Sequence, residues 1–352
     1  MSGIRPTLHA DLSMFEKATD EEKRQVDRMR ESTTFFRDGI GNLKRNKVTM
    51  ASLAVFFAIF LIAMLAPPFY PYDYETTSAN SASLTSTYQK PFSYSEKEEA
   101  AIAGGQSVFP HIFGTDELGR DYAARVIYGT RISLMVGIVA ALIVVVIGIV
   151  FGSISGYFGG RVDLLMMRVV DIIYSLPDML IIILLSVSLK DVLLNGPLSK
   201  TWLYRLGPGL VSIFIVFGLL YWVGMARLVR GQVLSIKERE FVLAAEASGA
   251  SAAWIIRKHM IANSLSIIFI SAALQVPSAI FTESYLSFLG LGVSIPMPSL
   301  GSLASSSVGQ LTVRPYMILI PATAIFLIIL SLNLIGNGLR DAFDPTQRER
   351  GR

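Results

Sequence analysis

The sequence predicts an all-α membrane protein with six transmembrane helices, and three observations carry that prediction. Hydrophobic residues make up 52% of the 352 positions and charged residues only 16%, whereas a soluble domain carries about a quarter charged residues. Six segments, 48–66, 132–156, 169–189, 206–226, 263–286 and 316–336, are long and apolar enough to satisfy their own backbone across roughly 30 Å of hydrocarbon. Lys and Arg then alternate across these segments. Arg37, Lys44, Arg45 and Lys47 precede the first, and none follows it until Lys90. The asymmetry places the N-terminus, and with six crossings the C-terminus, on the cytoplasmic side.

Taken in order, residues 1–47 form a cytoplasmic region. Thr19 and Glu22 are spaced like a capping box opening a charged helix that runs to about Glu31. Phe36, Ile40 and Leu43 fall on one helical face beside Arg37, Lys44 and Arg45, which suits a short helix lying on the inner leaflet lipid. The first span, 48–68, starts too deep behind a charged leader to be the core of a signal peptide. Residues 69–131 are rich in Ser, Thr and Tyr, show little helical periodicity until residue 120, and read as an exposed extracellular or periplasmic loop.

That loop contains Gly114-Thr-Asp-Glu-Leu-Gly-Arg-Asp121, which has the glycine spacing of a phosphate-binding P-loop. The other positions exclude one. Arg120 stands for the lysine and Asp121 for the hydroxyl, while Asp116 and Glu117 put carboxylates where phosphate would lie. No clear strand precedes it, no clean helix start follows, and it falls on the outer face.

Residues 132–338 hold the other five spans. The second carries Gly148, Gly152, Gly156 and Gly160 at four-residue intervals, a pattern that lets helix backbones approach closely. The third is the least regular, with Asp171 and Asp178 around Ser175-Leu176-Pro177. Asp171 is expected to pair with Arg168 one turn back. Pro277 and Pro321 allow bends in the fifth and sixth. Glu283, beyond Pro277, is expected either to line a polar pathway or to lock helices together. Residues 339–352 form a cytoplasmic tail.

Catalytic chemistry has little to draw on. Cysteine is absent, and His9, His111 and His259 lie in three separate regions, so neither a metal centre nor a triad is expected. Scattered Asp171, Asp178 and Glu283 make a weak proton relay, and no internal repeat supports an ion-coupled secondary transporter. An intramembrane enzyme lacks a nucleophile or an acid–base pair. The net charge of +4 and pI near 9.2 follow from orientation and need no nucleic acid.

The most informative stretch is the cytoplasmic loop 238–263. Phe241, Ala244, Ala245 and Ser248 share a helical face after Glu240, Gly249 is a natural left-handed stop, and Ser251 can cap a second helix. On that helix Trp254, Ile255, Lys258 and Ala262 fall on one side. The small-residue face is suited to receiving another protein.

This loop resembles the E-A-A-x-x-x-G coupling motif of the inner-membrane permease subunits of ATP-binding cassette importers, oligopeptide and dipeptide branch. Ala244, Ala245 and Gly249 match, while Leu243 stands at the usual glutamate and Ala262 at the usual proline before Asn263. The similarity extends along the chain. It includes Phe36-Arg-Asp, Arg45-Asn-Lys47, Ala66-Pro-Pro, Pro71-Tyr-Asp73, GTDELGRD with Tyr128-Gly-Thr-Arg-Ile-Ser-Leu134, Leu286-Ser-Phe-Leu-Gly-Leu-Gly292, and Gly338-Leu-Arg-Asp-Ala-Phe-Asp-Pro345.

The resemblance implies a type I importer permease fold with cytoplasmic coupling helices, acting in the cell membrane as a non-catalytic subunit. Its implied partners are a homologous second permease subunit, two ATPase subunits that bind ATP and Mg, an external peptide-binding protein and a peptide substrate. The chain itself is expected to hold no cofactor. The same branch also carries dipeptides, antimicrobial peptides and nickel complexes. Glu240, Phe241, Ala244, Ala245, Ser248, Gly249 and Trp254 are the implied ATPase-docking residues.

Overall fold

A computed structural model of the chain describes residues 35–79, 84–195, 207–293 and 297–343. The candidate capping box at Thr19 and Glu22 lies outside them. The described residues are helical apart from turns and one isolated antiparallel bridge, Thr115 with Asp121. In chain order the helices are α1 (Phe35–Arg45), α2 (Lys47–Leu65), α3 (Glu96–Ala103), α4 (Tyr122–Phe158), α5 (Gly160–Ser175) and α6 (Asp178–Asn195). They continue with α7 (Pro208–Lys237), α8 (Glu240–Ala247), α9 (Ala252–Phe288), α10 (Leu300–Ser306) and α11 (Tyr316–Phe343). Five of them, α2, α4, α7, α9 and α11, are long and apolar enough to cross a membrane.

The expected third span, 169–189, is not one helix. α5 and α6 meet at an elbow of 91° and supply a sixth crossing only if taken together. Proline explains the break: it disfavours helical geometry in the residue before it, and Leu176, ahead of Pro177, is extended at φ −78° and ψ 141°. The second span starts ten residues before the expected 132. Asp121 caps α4, its side chain accepting from the Ala124 N–H at 2.6 Å. A clean helix N-terminus therefore does follow GTDELGRD.

α4 is the central helix, packed on α7 along one side and on α9 along another, with α11 joining α9 to α2. The glycine stripe sets the first contact. A Cβ at Gly152 would stand 2.4 Å from the Ala226 carbonyl oxygen, and one at Gly156 would stand 2.9 Å from the Val233 side chain. Only hydrogen fits, so the two backbones nearly touch. Gly160 departs from the expectation: it follows Gly159 in a left-handed turn and packs against nothing. α1 docks on the last turn of α11, with Gly39 against the Phe343 ring.

Residues 84–121 are only in part the exposed loop expected: Phe92, Ile102 and Phe109 stand exposed, but the stretch closes over a buried polar cluster. Ser95 and Glu98 form a capping box that opens α3, and the carboxylate of Glu98 continues inward. Its Oε1 meets His111 Nε2 at 2.9 Å, and the other ring nitrogen, Nδ1, lies 2.6 Å from Asp121 Oδ2. Tyr72 stacks on the imidazole with ring centroids 4.2 Å apart. Asp116 is held between Arg120, at 2.8 Å, and Arg125. All six ionisable side chains of this knot are buried. Three carboxylates face three cations, provided His111 carries both its protons.

The two glycines of GTDELGRD thus serve packing. Both have φ +74°, and a Cβ would stand 2.1 Å from the Gln89 carbonyl oxygen at Gly114 and 2.5 Å from Ser78 Cβ at Gly119.

Candidate functional site

The loop 238–263 folds as a helix-turn-helix made of α8 and the first turns of α9, with which its second helix is continuous. α8 ends in two paired bonds, Gly249 N–H to the Glu246 carbonyl at 2.9 Å and Ala250 N–H to the Ala245 carbonyl at 3.1 Å, with Gly249 at φ +82°. This is the Schellman termination, in which a left-handed residue satisfies the last carbonyls. Ser251 occupies the N-cap position of α9 but makes no side-chain cap bond.

Val242 anchors α8, being fully buried against α7 and α9 residues of the main core. Ala245 leans on the same core and is only half exposed, so it does not share the open face expected for it. That face consists of Phe241 (42% exposed), Leu243 (53%), Ala244, Ala247 and Ser248. Trp254 (42%) joins it, whereas its expected neighbour Ile255 is buried. The three aromatic rings converge: His259 lies 5.7 Å from Phe241 and 5.0 Å from Trp254. The result is an apolar pad, about one helix long, rimmed by Glu240 and Glu246.

The pad is tied to the long helices. Glu246 accepts from the Tyr157 hydroxyl at 3.2 Å, and Lys237 Nζ donates to the Tyr157 carbonyl at 2.7 Å. About two turns back along α7, Arg230 forks onto Asp163 of α5 at 2.5 and 2.6 Å, with Ser155 of α4 on the same carboxylate. Short polar contacts thus join α8 to α4, and α4 in turn to α5 and α7.

The ionisable residues within the spans separate into two environments. Glu283 is fully buried and accepts from Ser133 of α4 at 2.8 Å and from Ser287 at 2.7 Å; the Ser133 oxygen also receives the Leu300 N–H at 3.3 Å. It joins α4, α9 and α10, and of its two expected roles this geometry serves packing. Asp171 does not pair with Arg168. It accepts from Arg227 of α7 at 2.8 Å, and Arg227 lies 4.3 Å over the Tyr174 ring. Asp178 is the first residue of α6, and its side chain is outside the description. No group of three or more His, Cys, Asp or Glu suited to a metal occurs among the described residues.

Sequence reading missed the buried knot and the role of Tyr174, beside the Leu176–Pro177 elbow, in carrying Arg227. The first had a visible signal in the Ser95–Glu98 capping-box spacing. The second had a partial one in Pro177.

A family model described as binding-protein-dependent transport system inner membrane component matches residues 148–349, and one for the N-terminal transmembrane domain of oligopeptide transport permease C matches residues 34–91. The chain is 37% identical over 337 residues to the oligopeptide transport system permease protein OppC of Bacillus subtilis, covering 96% of this chain and 98% of that protein. It is 39% identical to the dipeptide transport system permease protein DppC of the same organism, over 93% and 91% of the two chains. Against the OppC protein of Haemophilus influenzae the identity is 40%, over 90% and 91%.

Proposed function

The chain belongs to the family of binding-protein-dependent transport system inner membrane components, and from that premise we propose how it works as the transmembrane permease subunit of a peptide importer. It is a multi-pass protein of the inner membrane. Its N- and C-termini lie in the cytoplasm, consistent with the basic flank of α2. The path is completed by a second, homologous permease subunit, and two ATPase subunits supply the ATP and Mg that this chain does not hold. An external binding protein delivers the peptide to the side bearing the buried knot.

The observation that carries this reading is the apolar pad of α8. Phe241 and Leu243 stand exposed on the short helix α8, fixed by Val242 and by the turn at Gly249, and Trp254 stands exposed beside them on the first turn of α9. Aromatic and aliphatic anchors beside small residues are what a partner's cleft receives. ATP binding favours one arrangement of the ATPase pair, and the pad passes that bias through Tyr157 and Lys237 to α4 and α7.

The test is Ala244→Arg, which places a long charge on the exposed face. In the reconstituted complex it should abolish ATP-driven peptide uptake and reduce the ATPase recovered with the permease, while membrane insertion stays normal. Full uptake with stoichiometric ATPase would remove the docking role from α8.

A further inference from the structure

α7 is α-helical except at Phe217–Tyr221, where it widens to a π-helix. This segment faces the elbow between α5 and α6. Between them lies a cavity of about 440 Å³ whose wall includes Tyr174, Pro177, Tyr221 and Gly224, a size that takes a small organic ligand. The Asp171–Arg227 pair adjoins it through Tyr174, which both walls the cavity and carries the Arg227 guanidinium on its ring.

The pair is open: the Asp171 side chain is 59% exposed and that of Arg227 38%. Asp171 lies eight residues along α5 from Asp163, or roughly 12 Å farther from the Gly159–Gly160 turn that closes α4, and Arg227 lies ten residues before the end of the long apolar helix α7 at Lys237. Charges within a spanning helix face water or protein, because lipid offers them nothing. Their mutual bond uses one guanidinium nitrogen and one carboxylate oxygen. The second oxygen of Asp171 is thus available to an incoming cation, whereas Arg227 is partly covered by Tyr174.

We propose that this cavity is a peptide-contacting station on the translocation path, in which Asp171 receives the ammonium terminus of the peptide. Arg227 is a positioning residue for Asp171, and Tyr174 and Tyr221 wall the first side chains. The proposal rests on the peptide-permease reading and adds to it a specific contact. The asymmetry of the pair selects the ammonium end over the carboxylate end.

The chain contains no cysteine, and a Cβ at Gly224 meets nothing within 4 Å, so Gly224→Cys fits the wall without strain. Complete transporter carrying this variant is placed in nanodiscs without ATP and treated with a water-soluble maleimide. Labelling should proceed, and a free-amine tripeptide should slow it at about tenfold lower concentration than its N-acetylated form, the difference expected for one charge-assisted contact. Adding Asp171→Asn should erase that difference, and Asp171→Glu should retain part of it, with unchanged yield and ATPase content in both. Absence of labelling would mean that lipid or the second permease covers the cavity, and would overturn the proposal. Labelling that no peptide slows, or that both peptides slow equally, would overturn it too. ATP-driven uptake by the parent complex is measured alongside: uptake without protection sinks the station alone, whereas failure of uptake sinks the permease reading.

Discussion

Replacing His111 by leucine tests the buried knot most directly. In the folded chain the imidazole separates Glu98 from Asp121, with both ring nitrogens within 2.9 Å of a carboxylate oxygen. Leucine restores most of the volume but leaves two buried carboxylates without their cation. Removing one partner of a buried ion pair costs about 3–5 kcal/mol. The lower end applies here, because Gln89 and the Ser95 N–H still donate to Glu98, and Tyr70 and the Ala124 N–H to Asp121. A local loss of about 3 kcal/mol raises the open population roughly a hundredfold. Hydrogen exchange in the intact complex should report it at the amides of Asp116, Arg120 and Tyr122, which bond within the knot. Exchange in α4 beyond its first turns should not change.

The same group sets a pH dependence. Burial disfavours the charged imidazole, but hydrogen bonds to Asp121 and Glu98, and their negative charge, outweigh it and raise the pKa above its ordinary value. The charged His111 therefore contributes stability that is complete below the unfolded pKa, about 6.5, and is lost as pH rises through the folded one. Corrected for intrinsic rates, exchange in the parent protein should quicken on the alkaline side, and in His111→Leu it should not. Exchange in the variant no faster than in the parent at pH below about 6.5, or a parent knot that loosens on acidification instead, would refute the ion-pair account.

Three further outcomes follow from the packing and the charge distribution. With no native cysteine to interfere, Gln106→Cys should react with an impermeant thiol reagent in intact cells and Ser248→Cys should not; the reverse pattern would invert the proposed topology. Gly152→Leu puts its Cβ against the Ala226 carbonyl at 2.4 Å and should destabilise the α4–α7 contact by about 1–3 kcal/mol or more, read as a lower unfolding temperature of the purified complex. Glu283→Ala should cost about 2–4 kcal/mol by stranding the hydroxyls of Ser133 and Ser287 beside a void. Glu283→Gln, which keeps the length and one acceptor, should retain most of the yield. Equal loss in the two Glu283 variants would show that the charge itself, rather than packing, is what the site needs.

Hydropathy made the long helices legible because lipid imposes one requirement on every spanning residue. It placed both ends of α2, the end of α9 and the start of α11 within two residues, but set the start of α9 eleven residues late and the end of α11 seven residues early, and the glycine spacing at 148, 152 and 156 pointed to a close backbone contact without naming α7 as the partner. It failed where tertiary pairing overrides local polarity. Arg125 lies ahead of the expected span start at 132, yet Asp116 neutralises it and α4 begins before it. The knot looked exposed because its composition is polar, and its burial depends on partners 9 to 13 residues apart meeting in space. Periodicity also assigned Ala245 to the same face as Ala244. Which part of a helical surface faces outward depends on what the helix sits on, and Val242 turns Ala245 toward the core.

The same packing restricts how the molecule can switch. At Gly148, Gly152 and Gly156 the backbones of α4 and α7 are too close for one to slide past the other without collision. Interiors packed this tightly move as blocks. α4 and α7 should then travel as one body, tied through Asp163 and Arg230 to α5 and through Tyr157 to α8. Compliance is left to places where regular hydrogen bonding is already interrupted, namely the Leu176–Pro177 elbow and the π-helical turn at Phe217–Tyr221. Both border the cavity beside Asp171. A load on α8 would therefore be expressed where the peptide-contacting station lies rather than along the rigid α4–α7 seam. Stiffening the elbow with Pro177→Ala should leave ATPase docking intact and slow uptake, which separates a hinge at this position from a purely structural break.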